Sequence, residues 1–340
     1  MRLKIIIGSL CAFIAMNLLI GWILPTSDPY LDTDLFVWQQ KRRTFESGLS
    51  SDTLILGDSQ AMSGILPEAL TPFGFKAQNL AVPSQQPEGL EYTVKQISRF
   101  APATRRVILN VSPFTLFKSE VWPAFLNYYR ETYDLSPFDF EPARIPLAGK
   151  NSGDAIYRGF RLLPIFKLRD RFASIIADAS PLKLAGKRSE RNLQVKTILD
   201  AHNGYWVWQS EDSFKCAGTL PAIPALASLK YQDRPESLES YQRVITALKD
   251  QGIEVILVFI PLSDVWAGLA ASGTELRVYQ AMQRLESQGI KTIKMPSRSE
   301  YAGLFHDWTH LNYCGAKKYS AWLGDKISKE AFHPPTEADH

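Results

Sequence analysis

Three residues in this 340-residue chain, Ser59, Asp307 and His310, have types and spacing suited to covalent acyl chemistry. Ser59 follows Gly57 and Asp58 at the end of the apolar run Thr53-Leu54-Ile55-Leu56, which predicts a buried strand, a tight turn and a helix start. A serine hydroxyl is a poor nucleophile until a base takes its proton. Alone, Gly57-Asp58-Ser59 supplies no base and reads more simply as an Asp/Ser cap after a strand. The other end of the chain provides one, in Phe305-His306-Asp307-Trp308-Thr309-His310-Leu311-Asn312. An Asp three residues before a His can put both side chains on one face of a turn. There the carboxylate fixes the imidazole tautomer and steadies the imidazolium. His306 and His310 are also four apart, which on a helix is half of a metal site, but no third ligand stands out. No metal and no cofactor is expected, and His306 reads as a loop residue.

Such residues need a scaffold that brings distant segments together, and the pattern describes one. Phe75 to Leu80 and Arg106 to Val111 read as strands, with a helix over Pro87 to Arg99 between them. The rhythm stops at Ser112-Pro113 and resumes with a helix over Leu238 to Gln251, capped by Gly252, and a strand over Glu254 to Phe259. A helix over Glu275 to Gln288 ended by Gly289, a strand over Ile290 to Met295 and a helix over Asn312 to Ile327 complete it. Alternating strands and helices predict an α/β fold with a parallel sheet whose sites lie at the carboxyl ends of the strands. The loops after Leu56, Asn79 and Asn110 are those ends. The stretch 114–238 reads as a large insertion, expected to cover the catalytic edge because it leaves the sheet where the third strand ends. It contains a basic helix-like stretch near Phe166 to Arg171 and a hairpin candidate at His202-Asn203-Gly204-Tyr205-Trp206. Its Trp122, Tyr128, Tyr129, Tyr205, Trp206 and Trp208 could stack on sugar rings, though core packing is the simpler reading. Lys317-Lys318 reads as the solvated face of the last helix.

Gly57-Asp58-Ser59 early and Asp307-x-x-His310 late is an order that resembles the SGNH (GDSL-like) hydrolases. Leu54-Ile55-Leu56-Gly57-Asp58-Ser59-Gln60, Asn79-Leu80-Ala81-Val82-Pro83-Ser84 and the 305–312 string with Gly315, Tyr319 and Ser320 are similar to a membrane-anchored branch of it. That branch includes the alginate O-acetylation proteins and the D-alanine transfer protein of teichoic acid synthesis. The resemblance covers 50–113 and 240–327. It implies a three-layer SGNH-hydrolase-like domain with Ser59 as nucleophile, His310 as base and Asp307 as its orienting partner. It also implies an oxyanion hole from the Ser59 amide, the Ala81 amide where the family has Gly, and Asn110 or Ser112 where the family has Asn. The implied activity is acyl transfer, with acetyl as the acyl group, to an envelope polysaccharide or related polymer, and the implied partner is an integral membrane O-acyltransferase. An esterase or deacetylase using the same triad, or a glycan-binding accessory subunit without catalysis, are the alternatives.

Ile5 to Leu24 is twenty residues without a charge, about the length that crosses a bilayer. Arg2 and Lys4 precede it, and no small-x-small cleavage site follows. An uncleaved N-terminal transmembrane signal anchor over 1–25 is therefore expected, single-pass in a bacterial cytoplasmic membrane, with the globular part on the periplasmic side. A juxtamembrane segment (26–49), the two domain parts (50–113 and 239–330), the insertion (114–238) and a tail (331–340) complete the expected organisation. Cys11 reads as a residue of the anchor helix, and Cys216 and Cys314 could pair in an oxidising compartment. With 38 basic against 35 acidic residues, nothing in the charge points to nucleic acid.

Overall fold

The structure is a computed structural model. It describes residues 2–23, 28–118, 128–129, 131–133, 188–207, 232–264, 274–286 and 289–330, with Phe125, Cys216 and Trp266. The chain forms two compact units. One comprises 1–39 and 130–196, the other 40–129 and 197–340.

The first unit holds helix α1 (Arg2–Ile23) and the start of helix α2 (Thr33–Glu46). Ile5, Ile6, Ile7, Leu10 and Leu18 of α1 are all more than half exposed, and Asn17 turns its amide back onto the Phe13 carbonyl of its own helix at 2.8 Å. Among the described residues no helix is long and apolar enough to cross a membrane. Within this unit the Asn192 amide donates to the Pro29 and Leu31 carbonyls at 2.8 and 2.9 Å.

The second unit is the α/β domain. Strands β1 (Thr53–Leu56), β2 (Ala77–Asn79), β3 (Arg106–Asn110), β6 (Glu254–Val258) and β7 (Lys291–Ile293) make one parallel sheet in the order β2-β1-β3-β6-β7. The one-turn helix α5 (Pro113–Leu116) leads into a short antiparallel pair, β4 (Phe117–Lys118) with β5 (Gln232–Asp233), which stands apart from the sheet. The strands are continuous apolar runs because both faces are covered. Leu54, Leu56, Val107, Leu109, Val255 and Leu257 face one way. Helix α4 (Pro87–Phe100), helix α7 (Pro235–Lys249) and helix α8 (Thr274–Glu286) cover them with Val94, Ile97, Val244, Leu248 and Met282. On the other face lie helix α3 (Ser59–Gly64) and helix α9 (Tyr313–Glu330), whose Tyr319 hydroxyl reaches the Phe259 carbonyl. The expected parallel α/β architecture is thus present, with most element bounds within two or three residues of those read from the sequence.

The Asn203-Gly204 turn departs from expectation. It is not a hairpin: it ends helix α6 (Arg188–Ala201). Both residues take positive φ, 48° and 84°, and the Gly204 amide bonds back to the Leu199 carbonyl at 2.7 Å. Left-handed conformation at Asn-Gly suits a type I′ hairpin and a helix stop alike; the helical run before it decides. The Phe166 to Arg171 stretch, Trp122 and Trp208 lie outside the described residues.

Candidate active site

Chain order places the site. From β1 the chain turns to one side for β2 and returns past it for β3, so β1 is the switch point and its carboxyl end opens between two diverging loops. Ser59 stands there as the first residue of α3, half-buried and within reach of solvent. Gly57 makes the turn possible. Its φ is +148°, and a Cβ at that position would lie 2.7 Å from Asn110 Cβ, because the pairing of Leu56 with Leu109 sets Gly57 beside Asn110.

The structure brings Ser59, His310 and Asp307 together. His310 Nε2 is 2.8 Å from Ser59 Oγ, across 251 residues of chain, and His310 Nδ1 is 2.7 Å from Asp307 Oδ2. A carboxylate only accepts, so Nδ1 carries the ring proton and Nε2 is left to accept from the serine hydroxyl. Asp307 is fixed by its own loop: Oδ1 accepts from the amides of Thr309 and His310 at 2.8 and 2.9 Å, which reserves Oδ2 for the imidazole. Burial works to raise the Asp307 carboxyl, but the neighbouring His310 and these amide bonds outweigh it and hold the group well below the ordinary carboxylate range. The loop is pinned from the sheet side by Ser263, after β6, whose hydroxyl donates to the Trp308 carbonyl at 2.7 Å. From α3, Gln60 Nε2 donates to the Thr309 carbonyl at 3.2 Å. His306 spends its amide on the His310 carbonyl, and among the described residues no His/Cys/Asp/Glu group has the arrangement of a metal site.

The other expected donors are engaged in the resting site. Asn110 Nδ2 donates to Asp58 Oδ1 at 3.0 Å, and Ser112 Oγ donates to Asp58 Oδ2 at 2.5 Å. The Ala81 amide donates to Asn79 Oδ1 at 3.0 Å. The Ser59 amide stands at the first position of its helix, where no intrahelical acceptor exists. Asn110 and Ser112 face Asp58 because Asp58, the N-cap of α3, is buried and must be satisfied; it also accepts the Gln60 amide. Burial raises the Asp58 carboxyl, against the lowering pull of the Ser112 hydroxyl, the Gln60 amide, His310 and Asn110.

Two residues of the site were not singled out from sequence. Asp58 reads from sequence as part of an Asp/Ser cap, which it is, but its contacts to 110 and 112 require the β1–β3 register. Lys41, beside Arg42 and Arg43 in the sequence, is 4% exposed. Its Nζ donates to the Ala81 carbonyl and lies 3.4 Å from Asn79 Oδ1. The signal was the helical period: Trp38, Lys41 and Phe45 share one stripe of α2, and both aromatics are buried.

Described parts of the 114–238 stretch lie against this edge. The Trp206 amide bonds to the Met62 carbonyl of α3, and Gly204 passes so close that a Cβ there would meet the Asn79 carbonyl at 2.1 Å. Tyr205 and Trp206 are buried at 0% and 2%, so these two aromatics pack the interior and are closed to a sugar ring. Cys216 and Cys314 are joined as a disulfide with Cα atoms 5.1 Å apart, closing a loop of 98 residues, while Asn312 Nδ2 donates to the Cys216 carbonyl. Cys314 is in the first turn of α9, four residues after His310. Replacing both cysteines by serine is expected to lower the unfolding free energy by about 2–4 kcal/mol, read as a lower denaturation midpoint. An unchanged midpoint would mean the bridge does not constrain the unfolded chain.

Residues 199–317 match the family described as DltD protein. DltD is the D-alanyl transfer protein of teichoic acid synthesis, an SGNH-like hydrolase, and the resemblance read from the motifs is shown by this match. The DltD match takes in α7, β6, α8, β7, the Asp307–His310 loop and both bridged cysteines; it stops short of Ser59, which lies in the earlier part of the domain. It also begins forty residues before the end of the 114–238 stretch, so part of the supposed insertion belongs to what DltD shares. No curated protein matches the chain.

Proposed function

We propose that the protein is a serine-dependent acyltransferase of the cell envelope, with Ser59 as the acyl-accepting nucleophile. The observation that carries this is the continuous chain Ser59 Oγ to His310 Nε2 to Nδ1 to Asp307 Oδ2, at 2.8 and 2.7 Å. Ser59 Oγ attacks the acyl carbonyl as His310 takes its proton, and the proton leaves with the donor's alcohol or thiol. An acceptor hydroxyl then attacks the Ser59 ester, gives its proton to His310, and Ser59 recovers it. The Ser59 and Ala81 amides are the oxyanion donors in this reading. The DltD match supports a D-alanyl group and a teichoic-acid-like polymer; acetyl, from the resemblance to alginate O-acetylation proteins, is the second substrate to test. An integral membrane O-acyltransferase would deliver the acyl group across the bilayer, by analogy with that branch.

The decisive experiment treats the full chain in detergent with D-alanyl and acetyl thioesters and seeks an adduct on the Ser59 peptide by mass spectrometry. No adduct on Ser59 with either ester refutes the reading. Faster decay of the adduct with a polymer hydroxyl than with water separates transferase from esterase, and polymer binding without any adduct would mark an accessory subunit.

The uncharged run Ile5 to Leu24 and the helix formed over it support an N-terminal anchor, and the disulfide supports an extracytoplasmic body. The expected result is that alkaline carbonate leaves the protein in the membrane pellet of a bacterial cell, detergent releases it, and protease added to spheroplasts digests the body. Release by carbonate would count against the anchor.

A further inference from the structure

We infer that Lys41 is a positioning residue for the acylation step, holding Asn79 and the Ala81 carbonyl so that the Ala81 amide can pass from Asn79 to the developing oxyanion. This inference rests on the acyl-Ser59 reading above. Lysine is a costly choice at this position. It lies on the buried stripe of α2 between Trp38 and Phe45, and among the described residues no carboxylate pairs with it. Burial pushes the ammonium well below its usual range, the mark of a charge placed where an apolar residue would pack more cheaply.

What Lys41 touches supplies the reason. Asn79 is the hub between two loops: its Nδ2 donates to the Ala61 and Ile65 carbonyls at 2.9 Å each, fixing the helix that begins with Ser59. Its Oδ1 accepts the Ala81 amide at 3.0 Å and stands 3.4 Å from Lys41 Nζ. In the resting site the Ala81 amide is therefore occupied. For it to serve the oxyanion it must leave Asn79 Oδ1, and a buried oxygen stripped of its donor resists the change. Lys41 Nζ, already beside that oxygen and bonded to the carbonyl of the same residue 81, can close the last half ångström and replace the lost donor. No proton transfer is required of Lys41.

The test uses the full chain in detergent, with turnover of an activated acyl ester expressed per Ser59 titrated by a fluorophosphonate probe. Lys41→Met keeps the stem and removes the charge and donor. The expected result is a kcat lower by roughly 10- to 100-fold with KM within about threefold, and recovery of most of the loss in Lys41→Arg. A merely structural role would lower the titratable Ser59 and leave kcat per site unchanged, and that outcome overturns the inference. Lys41→Leu, which offers no donor to Asn79 or to the Ala81 carbonyl, is measured in the same way if the Met variant does not fold; full kcat in it also overturns the inference. Wild-type protein that forms no acyl-Ser59 ends the proposed function itself, whereas normal wild-type turnover with an unaffected Lys41→Met ends only the role of Lys41.

Discussion

Ser59→Ala is expected to lower acyl-ester turnover by roughly 10^4- to 10^6-fold and to abolish the covalent adduct, while the folded structure survives. The physical reason is that only Oγ is lost. The position opens α3, whose start is held by the Asp58 cap, and the bond from Ser63 is made to the Ser59 carbonyl, which alanine keeps. Asn79 and Gln60 still tie α3 to its neighbours, and His310 keeps Asp307. Turnover and mass spectrometry on the variant, beside its melting curve, check this. An adduct of unchanged yield, or turnover within tenfold of wild type, would mean that another group performs the attack and that the 2.8 Å contact to His310 is incidental.

Asp307→Asn should come next in size, with kcat lower by about 10^4-fold, KM little changed and Ser59 still present. Asparagine keeps an oxygen for the Thr309 and His310 amides, so the loop holds its shape. It presents an amide donor to His310 Nδ1, however, and reverses the ring tautomer: Nε2 then donates to Ser59 where it must accept. The same variant has a distinct stability signature. The folded pKa of Asp307 lies below its unfolded value, so the ionised group contributes stability that is present above about pH 4 and is lost as pH falls through the folded value. Denaturant titrations from pH 6 downward should show the wild type losing its advantage over Asp307→Asn below about pH 4. A gap that stays constant with pH would mean the carboxylate gains nothing from His310 in the folded state.

These variants probe a site whose chemistry was more legible than its support. Ser59, Asp307 and His310 could be named from spacing because nucleophile, base and orienting acid each demand a residue type, and because apolar runs place Ser59 after a strand. Asp58 could not be assigned its role. Its bonds to Asn110 and Ser112 depend on which strands pair and in what register, and no local pattern encodes that β1 lies between β2 and β3. The partners of the expected oxyanion donors depend on the same register. The resemblance implies Asn110 or Ser112 as a donor to the reacting carbonyl, and at rest both side chains donate to the buried Asp58 carboxyl. Lys41 was not legible as a site residue: a helical period can set it on one stripe with Trp38 and Phe45, but only the fold brings Asn79 and Ala81 to it.

The sequence by itself determined the parallel α/β rhythm and the uncharged N-terminal run, and it offered Ser59, Asp307 and His310 as the residues to seek together, since each follows from local composition or from the chemistry a residue type permits. Tertiary structure alone decided that Ser59 and His310 meet across 251 residues, that Cys216 is bridged beside the base, and that Asn203-Gly204 stops a helix. It also decided that Asp58 and Asn79 accept from the donors around Ser59 and that Lys41 lies buried beside Asn79. Those outcomes are set by strand order and by the need to satisfy every polar group that burial removes from water, and both are properties of the assembled core.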